Sequence, residues 1–142
     1  SIASAFLSAV ADRFGMWSKE VSVWGDWVNF LKYTQFINPW FPTSIIPTIG
    51  SIVTAVEIIL AVFLIVGFKT ELAAKLSGYL LLIFALSMTF SIGIKGALDY
   101  SVFTASAGAF ALSLLKEKYL EIDVLISRTD QNKNAADPDK MA

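Results

Sequence analysis

Three long apolar stretches, at residues 48–68, 72–94 and 98–115, dominate the chain, and charged residues gather at their ends. About 20 apolar residues cross a ~30 Å hydrocarbon core, so the first two suffice and the third spans if it starts at Leu98 or the bilayer thins. Lys69-Thr70-Glu71 separates the first two, and a few residues from Lys95 to Asp99 separate the next two. Connections this short force neighbouring helices to run antiparallel. A further apolar stretch, 1–11, stops at Asp12-Arg13-Phe14-Gly15. Eleven helical residues rise only about 16 Å, half of the core. The stretch lacks the basic n-region and small-residue cleavage site of a signal peptide, and the expectation is the C-terminal half of a truncated transmembrane helix. The pattern predicts an all-α, integral membrane, four-helix up-down bundle whose first helix is incomplete.

Between the first two helices lies an unusually long connection, 12–47. It holds Trp17, Trp24, Trp27 and Trp40 together with Phe30, Tyr33, Phe36 and Phe41. Across residues 23–36, apolar positions 23, 24, 27, 28, 30 and 31 oppose Asp26, Asn29 and Lys32, which fits an amphipathic helix lying at the membrane interface. Pro39, Pro42 and Pro47 then break helix and return the chain to the bilayer. Two readings stand side by side. One is an aromatic belt capping the bundle, and the other is the lip of a pocket for a quinone head or a lipid.

Composition sharpens this. The chain of 142 residues is 56% hydrophobic and 16% charged, with a mean hydropathy of +0.64, against about 45–50% and about 25% in soluble domains. It holds no cysteine and no histidine, which excludes disulfides, thiol nucleophiles, Cys/His metal sites and histidine-ligated haem. No metal site is expected. A net charge of −1 offers no field for nucleic acid. Lys69, Lys75, Lys116, Lys118 and Arg128 on one side outnumber Arg13, Lys19, Lys32 and Lys95 on the other, so both termini are expected in the cytoplasm. The C-terminal part divides into a mixed segment, 116–126, expected as a cytoplasmic helical extension, and a polar tail, 127–142, without apolar periodicity.

Glu57 is the leading candidate for chemistry, tenth in the 21-residue stretch 48–68 and so near the bilayer midplane. A lone ionisable group there costs roughly 2–3 kcal/mol on insertion scales, so it must face the bundle, carry a proton, or have a partner. Ser51, Thr54 and Ala61 fall on nearly the same helical face. Glu57 is either a proton carrier or a group that fixes helix register. Arg13 can fold inward as its cation or form a solvated pair with Asp12. Lys95, just after Gly93, is a candidate for the outer end of an internal polar path, and Trp24 and Trp27 are candidates for a ligand-binding lip. Hydroxyls such as Ser77, Ser87, Thr89, Ser91 and Ser106 read first as packing groups bonded to their own helix.

Several of these runs resemble the DoxX family of small bacterial membrane proteins. They are Phe6-Leu-Ser-Ala-Val-Ala-Asp-Arg-Phe-Gly15, Ala55-Val-Glu57-Ile, Leu64-Ile-Val-Gly67-Phe-Lys-Thr-Glu-Leu-Ala, Ser77-Gly78 with the run to Met88, Gly93-Ile-Lys95 and Leu98-Asp-Tyr-Ser101. The resemblance covers roughly residues 1–115. It implies four transmembrane helices in the bacterial inner (cytoplasmic) membrane with both ends cytoplasmic. The related DoxD looks like the membrane subunit of a thiosulfate:quinone oxidoreductase. The resemblance thus implies other membrane subunits or a homo-oligomer as partners besides the lipid bilayer, and matches Glu57 to the family's second-helix acid. One departure is the turn Lys69-Thr70-Glu71, where many members carry Thr-Arg.

Two function classes follow, with a third behind them. The chain is an accessory or quinone/lipid-binding subunit of a membrane redox complex, or a non-catalytic scaffold subunit, or less readily a small proton or solute carrier using Glu57. Without cysteine or histidine it has no catalytic constellation and no intrinsic cofactor, so electrons would come from another subunit.

Overall fold

The computed structural model describes residues 1–115, and these are helical with no strand among them. The order is α1 (Ile2–Arg13), α2 (Trp27–Ile37), a 3-10 turn (Thr43–Ile45), α3 (Ile46–Val66), α4 (Thr70–Ile92), α5 (Ile94–Asp99) and α6 (Val102–Leu114). The expected segments 116–126 and 127–142, with Lys116, Lys118 and Arg128, lie outside the described residues.

The ends of the helices follow from local chemistry. α2 begins where the Asp26 side chain accepts the Asn29 backbone N–H at 2.7 Å, the usual cap for orphan donors in a first turn. The sequence suggested a start near Val23, but Gly25 has φ +73° and breaks the run before Asp26. Pro47 sits in the first turn of α3, where its missing N–H costs nothing. α3 ends at Gly67 with φ +73°, its N–H bonded to the Phe63 carbonyl at 2.9 Å. α4 ends likewise at Gly93, φ +88°. The expected connection from Lys95 to Asp99 is itself the short helix α5.

α3 and α4 are long and apolar enough to cross a membrane. Together with the preceding turn, α3 gives 24 residues of mean hydropathy 2.7, and α4 gives 23 of 1.6. Their outward faces are apolar, with Ile52, Ile65, Ile83 and Phe90 all more than half exposed. α6 is apolar but shorter.

Packing joins these elements around two clusters. Phe6 of α1 meets Leu60 and Ala61 of α3 and Ala73 of α4. Ile37 of α2 meets Ala85 and Met88 of α4 and Ala97 of α5. α4 and α6 lie antiparallel and close. The Ser106 hydroxyl donates to the Gly78 carbonyl at 2.8 Å, while Val102 and Phe103 pack near Ala85 and Met88. A Cβ at Gly78 would stand 2.9 Å from the Phe110 ring, so this approach needs glycine. α2 buries one face, Phe30, Thr34 and Ile37, as an amphipathic helix does, but Val28, expected on the apolar side, stands outward with Asn29, Lys32 and Phe36. It is also bolted to the bundle: Ser87 Oγ donates to Asn38 Oδ1 at 3.0 Å, and Ser91 Oγ to the Ile37 carbonyl.

Candidate functional site: a buried arginine–glutamate pair

α1 carries two consecutive charged residues into the interior. Asp12 and Arg13 are helical and buried, although the sequence placed them as the stop after Ala11. The helix continues because each side chain finds partners there.

The Arg13 guanidinium reaches α3. Its Nη1 donates to Glu57 Oε2 at 2.5 Å and to Thr54 Oγ1 at 2.8 Å, and its Nη2 donates to Glu57 Oε1 at 3.1 Å. The pair is bidentate and almost fully enclosed, the two side chains being 1% and 4% exposed. Two charges out of water are tolerable only in such bidentate geometry. Aromatic rings complete the enclosure. The Phe30 ring lies 4.1 Å and the Trp24 ring 5.3 Å from the guanidinium carbon, both within cation–π range. Arg13 Nε and Trp24 Nε1 are buried without a partner.

Asp12 takes no part in this ion pair. Its carboxylate accepts the Ser22 hydroxyl and the backbone N–H groups of Val23 (2.9 Å), Trp24 (3.0 Å) and Gly25 (3.4 Å). It therefore ties down the loop that carries Trp24. The four donors spread over both carboxylate oxygens, so Asp12 is fully engaged although it has no cation of its own.

Of the residues singled out in the sequence, Arg13, Thr54, Glu57 and Trp24 come together. Trp27 stands one layer out, stacked on Phe14 at 6.2 Å and tilted against Phe30 at 5.4 Å. Lys95 does not join them. Its side chain is 84% exposed and pairs with Asp99 on α5, so no polar path from Lys95 to Glu57 appears among the described residues. Ser51 also turns away, exposed and bonded to the Pro47 carbonyl at 2.8 Å. The alternative of a solvated Asp12–Arg13 pair is not what forms. Phe30, which the sequence named only among the aromatics of the 12–47 connection and on the apolar side of its amphipathic run, is the ring nearest the guanidinium. Gly50 belongs with it, since a Cβ there would stand 2.7 Å from Leu31 Cδ2 and 3.2 Å from Phe30 Cε1.

Several cavities surround the site, among them a groove bordered by Asp12 and Trp24. A narrow one of about 100 Å³ lies between α2, α3 and α4, lined by Phe30, Thr34, Asn38, Gly50, Phe84 and Ser87 among others. A broad groove of about 690 Å³ runs between α1 and α6 past Ala5, Thr104, Ala105 and Gly108. Neither is lined by Glu57. Among the described residues no group of three His, Cys, Asp or Glu side chains could hold a metal. Comparison with known protein families, curated proteins and solved structures yields no match.

Proposed function

We propose that this chain is a DoxX-like integral membrane protein of the bacterial cytoplasmic membrane, a four-helix up-and-down bundle acting as a non-catalytic accessory or scaffold subunit of a membrane assembly. The observation that carries this reading is the closure of Glu57. Both carboxylate oxygens sit on one guanidinium, under Phe30 and away from the cavities. A carboxyl so engaged, with both oxygens on one guanidinium of the neighbouring helix, suits a register lock between α1 and α3. The apolar outer faces of α3 and α4 suit lipid or neighbouring helices. The α1–α6 groove beside Gly108, where a Cβ would meet nothing within 4 Å, suits the close approach of a partner helix.

Quinone or lipid binding is the second reading, and the cavity under α2 favours it in part. At about 100 Å³ it is smaller than the 300–1,000 Å³ typical of ligand sites. It suits a slender apolar tail better than a quinone head. The test is the double variant Arg13→Gln/Glu57→Gln in the native assembly, where the two amides keep hydrogen bonds and remove both charges. The scaffold reading expects co-purification of partner subunits in mild detergent and unchanged activity per assembled complex. Loss of activity with assembly intact would refute it.

A further inference from the structure

Asp12 leaves a charge unbalanced. The buried cluster contains two acids, Asp12 and Glu57, and one base, Arg13. Arg13 is consumed by Glu57, and the other ion pairs among the described residues, Lys75–Glu71 and Lys95–Asp99, lie elsewhere. The donors on Asp12 are one hydroxyl and three peptide N–H groups, which supply dipoles but no compensating charge. One net negative charge therefore remains in a largely desolvated place, where it attracts cations more strongly than in water.

Asp12 also borders a groove of about 470 Å³ between α1 and the loop that follows it. Trp17 and Trp24 line the groove, and Ala5, Ser8 and Ala9 of α1 leave it room. The Trp17 indole is fixed there, its Nε1–H donating to the Ser8 carbonyl at 3.1 Å. No lysine or arginine lines the groove. A carboxylate bordering an apolar groove lined by two indoles is the arrangement that attracts ammonium groups. We propose that this groove binds a monovalent organic cation, an alkyl- or quaternary-ammonium group, against Asp12 between the Trp17 and Trp24 indoles. A hard metal ion fits poorly. It needs several oxygen ligands and surrenders water reluctantly, while Asp12 already accepts four hydrogen bonds and the walls are apolar. An alkylated ammonium sheds little hydration and gains contact with the rings. The site does not depend on the scaffold reading, because it needs only that Arg13 be paired with Glu57, whatever that pair does.

The same chemistry is offered by a free amine and by the headgroup of a choline lipid. The test uses the full chain in nanodiscs of phosphatidylglycerol, titrated with tetraethylammonium against potassium at equal ionic strength. Saturable tryptophan quenching and a thermal upshift of several degrees, beyond the effect of potassium, are expected. Trp17→Leu keeps the wall apolar and lies at the surface, so it folds, and it should weaken the response about tenfold. Asp12→Asn should abolish it. Repetition in phosphatidylcholine distinguishes the sources: an undiminished response points to a free amine, and a response lost to competition points to the headgroup. Tetraethylammonium acting no better than potassium, or acting equally on Trp17→Leu, would overturn the site.

Discussion

Two ion pairs in this molecule have the same closest approach and opposite meanings. Arg13–Glu57 and Lys95–Asp99 both close to 2.5 Å. The first is sealed, at 1% and 4% exposure, between residues 44 apart in sequence on α1 and α3. The second stands in the open, at 84% and 58%, one turn apart on α5. Distance alone therefore says nothing about worth. Burial decides, because it removes the water that would otherwise solvate each charge when its partner is lost.

The largest effect follows from breaking the buried pair on one side. Glu57→Leu strands the guanidinium in an apolar interior, and a loss of about 3–5 kcal/mol is expected, read by denaturant unfolding in detergent. Arg13→Met/Glu57→Leu removes both charges and should recover most of that loss, because an apolar replacement of a buried pair is often neutral or better. A double variant as unstable as the single one would mean that Arg13 is held by its rings and Thr54 rather than by Glu57.

Next comes the aromatic cover. Phe30 is 1% exposed and its ring lies 4.1 Å from the guanidinium carbon. Phe30→Leu preserves apolarity but loses the ring face, and a cost of about 1–2 kcal/mol is expected from packing plus the cation–π contact. In the Arg13→Met background the same substitution should cost less. Equal costs in both backgrounds would show that Phe30 only fills space.

How much of this was readable beforehand depends on whether a feature is local. Gly67 and Gly93 end α3 and α4 by their own backbone freedom, and the apolar runs 48–68 and 72–94 differ from the observed helices by two residues at either end. The hydroxyls of Ser77 and Thr89 bond to carbonyls four residues back, at 2.8 and 2.7 Å, as their position within a helix implies. The partner of Arg13 was not local. The sequence named both Glu57 and Asp12 as possible partners, but the choice depends on how the loop after α1 folds. That path is set by Asp12 gathering the N–H groups of residues 23–25, an arrangement without a sequence signature. The helix α5 was missed for a related reason. Six residues with two glycines nearby read as a connection, and it is Ala97, fully buried against Ile37 and Met88, that holds them helical.

The tie between Asp12 and the loop comes next. Ser22→Ala removes one of the four donors on the carboxylate, and hydrogen exchange at Val23 and Trp24 should accelerate severalfold. Unchanged exchange would mean that the backbone N–H groups alone hold the carboxylate.

The smallest effect belongs to the exposed pair. Lys95→Ala removes an (i, i+4) contact whose partners are both open to water, and such pairs are worth about 0.3–0.5 kcal/mol. Added salt should erase even that difference, since exposed charges are screened within about 8–10 Å at physiological ionic strength. Arg13–Glu57 should show little salt dependence over the same range, as no solvent separates or surrounds its charges. Measuring both variants at low and high salt thus tests the contrast directly. If Lys95→Ala costs several kcal/mol and is insensitive to salt, α5 is held by Lys95 rather than by Ala97, and burial would not be the property that separates the two pairs.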